Sequence, residues 1–185
     1  MNLVRNFALY FMDDVLHMPN AAAATGDMLA IIALCLLAIT YPAGHLSDRI
    51  GRKRMNVFSA LLGAVGAFLL LFARGQVLLS FMGLEFTDVL LYGSIIGLSA
   101  GIYLSSNWAW ATDLMPKDEA AGYLGITNLA TAGAGVLAGL GGPLMDLFNA
   151  RKPNLGYTAL YSAAGAAYLL GALALVPVRD KRVQA

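Results

Sequence analysis

The chain has 185 residues, of which 59% are hydrophobic and 12% charged, with a formal net charge of +1. A soluble domain carries roughly 25% charged residues, so water is not the solvent for most of this surface, and the even charge balance argues against a nucleic-acid partner and for lipid. The single cysteine, Cys35, sits inside an apolar run, which excludes an internal disulfide.

At the amino terminus Arg5 precedes the apolar stretch 7–12, and Ala21 to Ala24 follow, the outline of a secretory signal. Asp13 and Asp14 end that stretch after about six residues, shorter than the core of a signal. Residues 1–18 are instead expected to form a partial helix: the dozen or so residues before the aspartates reach about 18 Å, short of a hydrocarbon core about 30 Å thick. Apolar runs long enough to cross follow at residues 27–46, 55–73, 89–112, 123–148 and 155–178. The expected fold is an all-α membrane protein, with five full transmembrane helices plus the partial first one, in a single domain over 1–185.

Glycine and proline recur within these runs, as is common where lipid forces the backbone to pair internally. Gly93, Gly97 and Gly101 fall every fourth residue and predict a groove for a closely packed helix. Lysine and arginine divide unevenly between the two sides. Arg49, Arg52, Lys53, Arg54, Lys117, Arg179, Lys181 and Arg182 fall on one side, against Arg74, Arg151 and Lys152 on the other. Because basic residues stay in the cytoplasm, the turn after the first full span and the carboxyl terminus are expected there.

That turn holds the most specific pattern in the chain, Gly44-His45-Leu46-Ser47-Asp48-Arg49-Ile50-Gly51-Arg52-Lys53-Arg54. Gly44 allows one helix end to lie against a neighbour, Asp48 can accept hydrogen bonds or face a positive helix end, and Gly51 permits a tight turn. The cations from Arg49 to Arg54 can pair with carboxylates or lipid phosphates. The pattern resembles the signature loop of the major facilitator superfamily. A second stretch, Asp113 to Ile126 followed by Asn128, resembles the turn before the penultimate helix of bacterial sugar-cation symporter-like members. The resemblance implies half of a helix bundle, and a gate latch formed by Gly44, Asp48, Arg49, Gly51, Arg52, Lys53 and Arg54 against the opposite half. The short charged tail after the last span is similar to the end of a carboxyl-terminal half.

Intramembrane polar residues mark further candidates. Tyr103, Asn107 and Trp110 share a helix face at i, i+4, i+7 and can present an amide and two aromatic groups to a solute; related sequences often carry an acidic residue where this chain has Asn107. Trp108 and Trp110 also suit an interfacial aromatic belt. Asn128 is a further solute candidate, and it and Thr131 equally suit interhelical hydrogen bonds. Asp13 and Asp14 are candidate coupling carboxylates or solvated caps, and Asp146 reads as a cap. His17 and His45 are expected at opposite faces, which excludes a shared metal, and no cofactor is implied. An intramembrane enzyme is disfavoured: the chain has no Gly-x-Ser-x-Gly elbow and no histidine pair at metal spacing. The expected partners are lipid, a small-molecule solute, and either a missing amino-terminal half or a second copy of this chain.

Overall fold

The structure is a computed structural model, and it describes residues 1–81, 84–116 and 119–178. Lys117, Asp118, Arg179, Lys181 and Arg182, which entered the charge asymmetry and the second motif, lie outside the described residues. The chain runs through α1 (Asn2–Tyr10), a π-helical turn (Phe11–Val15), α2 (Ala21–Ile50), α3 (Arg52–Leu69) with a 3-10 turn (Leu70–Phe72), a hairpin of β1 (Val77–Phe81) and β2 (Leu84–Thr87), α4 (Asp88–Leu114), α5 (Ala120–Gly139), α6 (Gly141–Asn149) and α7 (Leu155–Leu175). Among the described residues five stretches are long and apolar enough to cross a membrane: Ala21–Ile50, Arg52–Phe72, Asp88–Leu114, Ala121–Asn149 and Leu155–Leu175.

The expected architecture holds, with three differences of detail. Helix α2 is longer than the apolar run that announced it. At 30 residues it reaches about 45 Å, so its last turns carry the motif beyond the hydrocarbon. The fourth crossing is broken: α5 ends at Gly139 and α6 restarts at Gly141, because Pro143 has no N–H to give the preceding turn and three glycines flank the break. The connection at 77–87 is an antiparallel hairpin, pairing Val77 with Thr87 and Leu79 with Phe86. Its β-branched and aromatic residues suit a strand, an element the apolar runs did not indicate.

Lipid is as apolar as leucine, so helix association here rests on close packing and interhelical hydrogen bonds rather than on escape from water. Helices α2 and α4 pack along the glycine stripe of α4. A Cβ at Gly97 would stand 2.5 Å from the Ile32 carbonyl oxygen, and one at Gly101 2.5 Å from that of Leu36. On its other side α4 is tied to α3 by the buried Ser99 hydroxyl, which donates to the Ser59 carbonyl at 2.8 Å. Helix α7 covers α3, where Gly63 faces the ring of Tyr168 and Gly165 that of Phe68.

Helix α1 plugs one end of this bundle. Val4, Phe7, Ala8, Phe11 and Met12 are buried against Ile32, Val89, Tyr157 and Tyr161, with Phe11 edge-on to Tyr161 at 4.9 Å between ring centroids. Near the same end Asp88 starts α4. Its carboxylate accepts the Arg74 N–H at 2.7 Å and its own neighbour's, Val89, at 2.8 Å, holding the chain after the hairpin to the helix before it.

Candidate functional site

The turn joining α2 to α3 is one residue long. Gly51 ends one helix and starts the next at φ 102°, a conformation open to glycine and costly for any residue with a Cβ. It reverses the chain tightly enough that Arg52, on the first turn of α3, reaches both neighbouring helices. One nitrogen, Nη2, donates to Asp48 Oδ1 at 3.1 Å on α2. The other, Nη1, pairs with Asp113 Oδ2 at 2.7 Å near the end of α4 and donates to the Ala109 carbonyl. The guanidinium fork thus joins three helix ends, a geometry an ammonium cannot reproduce. Its side chain is 13% exposed, against 54% for Asp48 and 32% for Asp113, so the cation is largely removed from water and held by two anions.

The remaining motif residues divide by role. Gly44 lies at ordinary contact distance from Ser105 of α4, 3.9 Å from a built Cβ. Lys53 donates to the Val176 carbonyl at 2.6 Å, capping the end of α7. Arg49 and Arg54 are exposed at the same end. Asp113 is the partner that motif spacing did not reveal, because it lies on the last turn of α4, more than sixty residues along the chain.

The solute candidates do not share one surface. Tyr103 and Asn107 open onto a groove of about 660 Å³ between α3, α4 and α7, which Asn56 and Tyr168 also line. Asn56 is buried there: its amide nitrogen donates to the Arg52 carbonyl at 3.0 Å, while its Oδ1 has no partner among the described residues. Trp110 is 4% exposed and does not line the groove, and Trp108 faces outward. Asn128 is on an exposed part of α5, and the Thr131 hydroxyl is bonded to its own helix, at the Thr127 carbonyl.

At the opposite end, Asp13 and Asp14 fall within the π-helical turn rather than beyond a helix cap. Asp14 accepts a hydrogen bond from the Tyr157 hydroxyl of α7, a partner 143 residues away in sequence. Asp13 contributes its backbone carbonyl to the His17 ring at 3.2 Å. His17 and His45 stand at opposite ends of α2, and no group of metal-ligating side chains gathers among the described residues. Arg5, Asn6 and Tyr10 are exposed on the side of α1 turned away from the core; no motif singled out the first two.

A cation at a single-glycine turn, clasped between a motif aspartate and the next helix, in a bundle of membrane-spanning helices, defines a carrier-type half-bundle. The chain belongs to the Major Facilitator Superfamily, whose family model matches residues 4–184. It is similar to the minor myo-inositol transporter IolF of Bacillus subtilis, at 32% identity over 94 residues, which is 51% of this chain and 19% of that protein. No solved structure matches the chain.

Proposed function

We propose that this chain is the carboxyl-terminal half of a secondary carrier that moves a small hydroxylated solute across a bacterial inner membrane, with the motif turn and carboxyl terminus on the cytoplasmic side. The observation that carries the reading is the Arg52 clasp. It fixes three helix ends as one rigid rim, the part required when two half-bundles rock against each other around a central site. The other half supplies the surface on which the rim closes, and Arg49 and Arg54, exposed beside it, are the cations free to meet that surface. The similarity to an inositol transporter supports a hydroxylated solute. Tyr103 and Asn107, which open onto the groove, are the polar side chains proposed to meet it, whereas Trp110, sealed from the groove, is assigned to packing.

Coupling belongs to the same proposal. Asp14 is the better coupling carboxylate of the pair, because its bond to Tyr157 links protonation of α1 to its contact with α7. Loss of that charge would loosen the outer end just as the solute passes. No step of this cycle asks for a cofactor or a covalent intermediate.

Uptake of radiolabelled myo-inositol and of gluconate tests the reading, in cells producing this chain alone and in cells producing it with an amino-terminal half encoded in frame upstream of Met1. Accumulation of at least one solute is expected only when both halves are present, and Asp14→Asn should abolish its dependence on an imposed ion gradient. Equal uptake by the chain alone would replace the two-half reading with a homodimer. No uptake of either solute by either form would sink it.

A further inference from the structure

The hairpin between α3 and α4 has no part in the clasp or in the solute groove. The spans on either side of it end at Phe72 and begin at Asp88. The Asp88 N–H donates to the Gln76 carbonyl at 3.0 Å, beside the bond from the Arg74 N–H to the Asp88 carboxylate. The base of the hairpin is thus pinned where two crossings meet, at the end of the bundle opposite Arg52. From there it does not stand clear of the helices, because Glu85 and Phe86 of β2 line a cavity of about 520 Å³ together with Asp27, Ile31 and Leu34 of α2.

The two faces of the hairpin differ. Successive pairs of a ladder fall on opposite faces of a sheet, so Leu79 with Phe86 lie on one and Ser80 with Glu85 on the other. Val77 pairs with Thr87, which leaves Leu78 as the extra residue of a bulge and sets Leu78 and Leu79 together against Phe86. Both leucines are bare, at 54% and 63% exposure. Among the described residues β1 pairs with β2 alone, and a two-stranded hairpin with an uncovered apolar face is marginal in water.

What covers that face follows from its chemistry and its surroundings. Residues 75–87 hold no lysine or arginine. Arg74 at the base is outweighed by the carboxylates of Asp27, Glu85 and Asp88, so the balance is against an anionic headgroup. Close protein contacts within a membrane favour small residues that let backbones approach, whereas the bare side chains here are bulky. The apolar surface also continues through Leu34 to Leu37, both exposed on α2, a membrane span. The unpaired edge of β1 limits the depth, since its N–H and C=O groups cannot face hydrocarbon. We infer that the hairpin lies in the interfacial layer of the bilayer as an anchor for the α3–α4 connection. Leu78 and Leu79 enter the acyl chains of phospholipid without net charge, and Ser80 and Glu85 turn to headgroups and water. Amphipathic helices sit at this boundary by the same division of faces. The anchor stands independently of the carrier reading.

Nitroxide labels on the chain in phosphatidylcholine vesicles test this. In a Cys35→Ser background, which removes the single cysteine, labelled cysteines replace Leu78, Leu79 and Glu85 in turn. Leu61, exposed at the middle of α3, and Arg49, exposed at the motif turn, serve as references for lipid and water. Power saturation reads accessibility to oxygen, which concentrates among acyl chains, against a water-soluble nickel chelate. The oxygen-to-nickel ratio at Leu78 and Leu79 should lie near that of Leu61 and several-fold above that of Arg49, with Glu85 near Arg49. Adding phosphatidylglycerol should leave this pattern unchanged, and Leu79→Glu should lower the ratio at the Leu78 label several-fold. A water-like ratio at both leucine positions overturns the inference, as does no response of the Leu78 label to Leu79→Glu. Low accessibility to both reagents in the chain alone would assign the face to a second copy. The same loss appearing only when the amino-terminal half is supplied would assign it to that half, and either result overturns the anchor. A ratio that rises with phosphatidylglycerol overturns the choice of lipid.

Discussion

Helices α4 and α5 follow one another in the chain, are both strongly apolar and both carry several glycines, yet their surroundings are opposite. Along α4 the glycines are filled: Gly93, Gly97 and Gly101 hold side chains and backbone of α2 against them. Along α5 a Cβ at Gly122, Gly125, Gly133 or Gly139 would meet nothing within 4 Å, and Leu129, Val136 and Leu137 are largely exposed. Near Gly135 the helix approaches α1, at Asn2. Small residues are an opportunity for contact, and whether it is taken depends on what the rest of the chain places opposite.

The largest effect expected from breaking this contrast is at Gly97. A leucine there must displace the backbone of α2 rather than a flexible side chain. Gly97→Leu should destabilise the detergent-solubilised protein by about 3 kcal/mol, the top of the usual range for overpacking, read as a lowered unfolding midpoint and loss of a monodisperse elution peak. Gly125→Leu in the same chain should be neutral or slightly stabilising, because the site is open and glycine is a poor helix former. Equal damage at the two sites would show that α5 is packed as closely as α4.

Next in size is the Arg52 clasp. Arg52→Ala removes the guanidinium that Asp48, Asp113 and the Ala109 carbonyl share. The pair is neither fully exposed nor fully buried, so a cost of about 2 kcal/mol lies between the limits for surface and interior ion pairs. Arg52→Lys should recover less than half of it, because a point charge replaces a fork that spans two carboxylates and a carbonyl. Chemical denaturation with both variants measures this. Arg49→Ala, which alters an exposed residue of the same motif, should stay within about 0.5 kcal/mol of the parent.

The sequence announced these two regions unequally, and the reason is distance along the chain. The motif turn was legible because Gly51, Asp48 and Arg52 act on residues within a few positions of themselves. Asp113 was within sight as part of a second motif, but its pairing with Arg52 depends on how α3 and α4 pack. The glycine stripe of α4 was legible as a period, whereas the openness of α5 was not, since composition is nearly the same for both. The hairpin leaves no mark as an apolar run, although Val77, Phe81, Phe86 and Thr87 carry a strand preference. Arg5 and Asn6 belong to no motif; their spacing with Tyr10 and Asp13 is a helical period that the neighbouring apolar stretch does not reveal.

A smaller loss than that at Arg52 is predicted at the other end, where the comparison can be sharpened. Tyr157 is nearly buried at 2% exposure, and its hydroxyl reaches Asp14, a carboxylate whose side chain is exposed. Tyr157→Phe keeps the ring, and with it the tilted contact to Phe11 at 5.9 Å between centroids, while removing only the donor. The carboxylate left behind is rehydrated, so the expected loss is about 0.5–1 kcal/mol, near an ordinary hydrogen bond and below one to a buried charge. Tyr157→Ala removes the packing as well and should cost several-fold more, in the range of about 3–5 kcal/mol for deleting a large buried aromatic. The difference between the two variants separates the ring from the hydroxyl. If Phe costs as much as Ala, this end of α1 is held by its polar bond. If Phe is neutral, packing of Phe11 between Tyr157 and Tyr161 holds it.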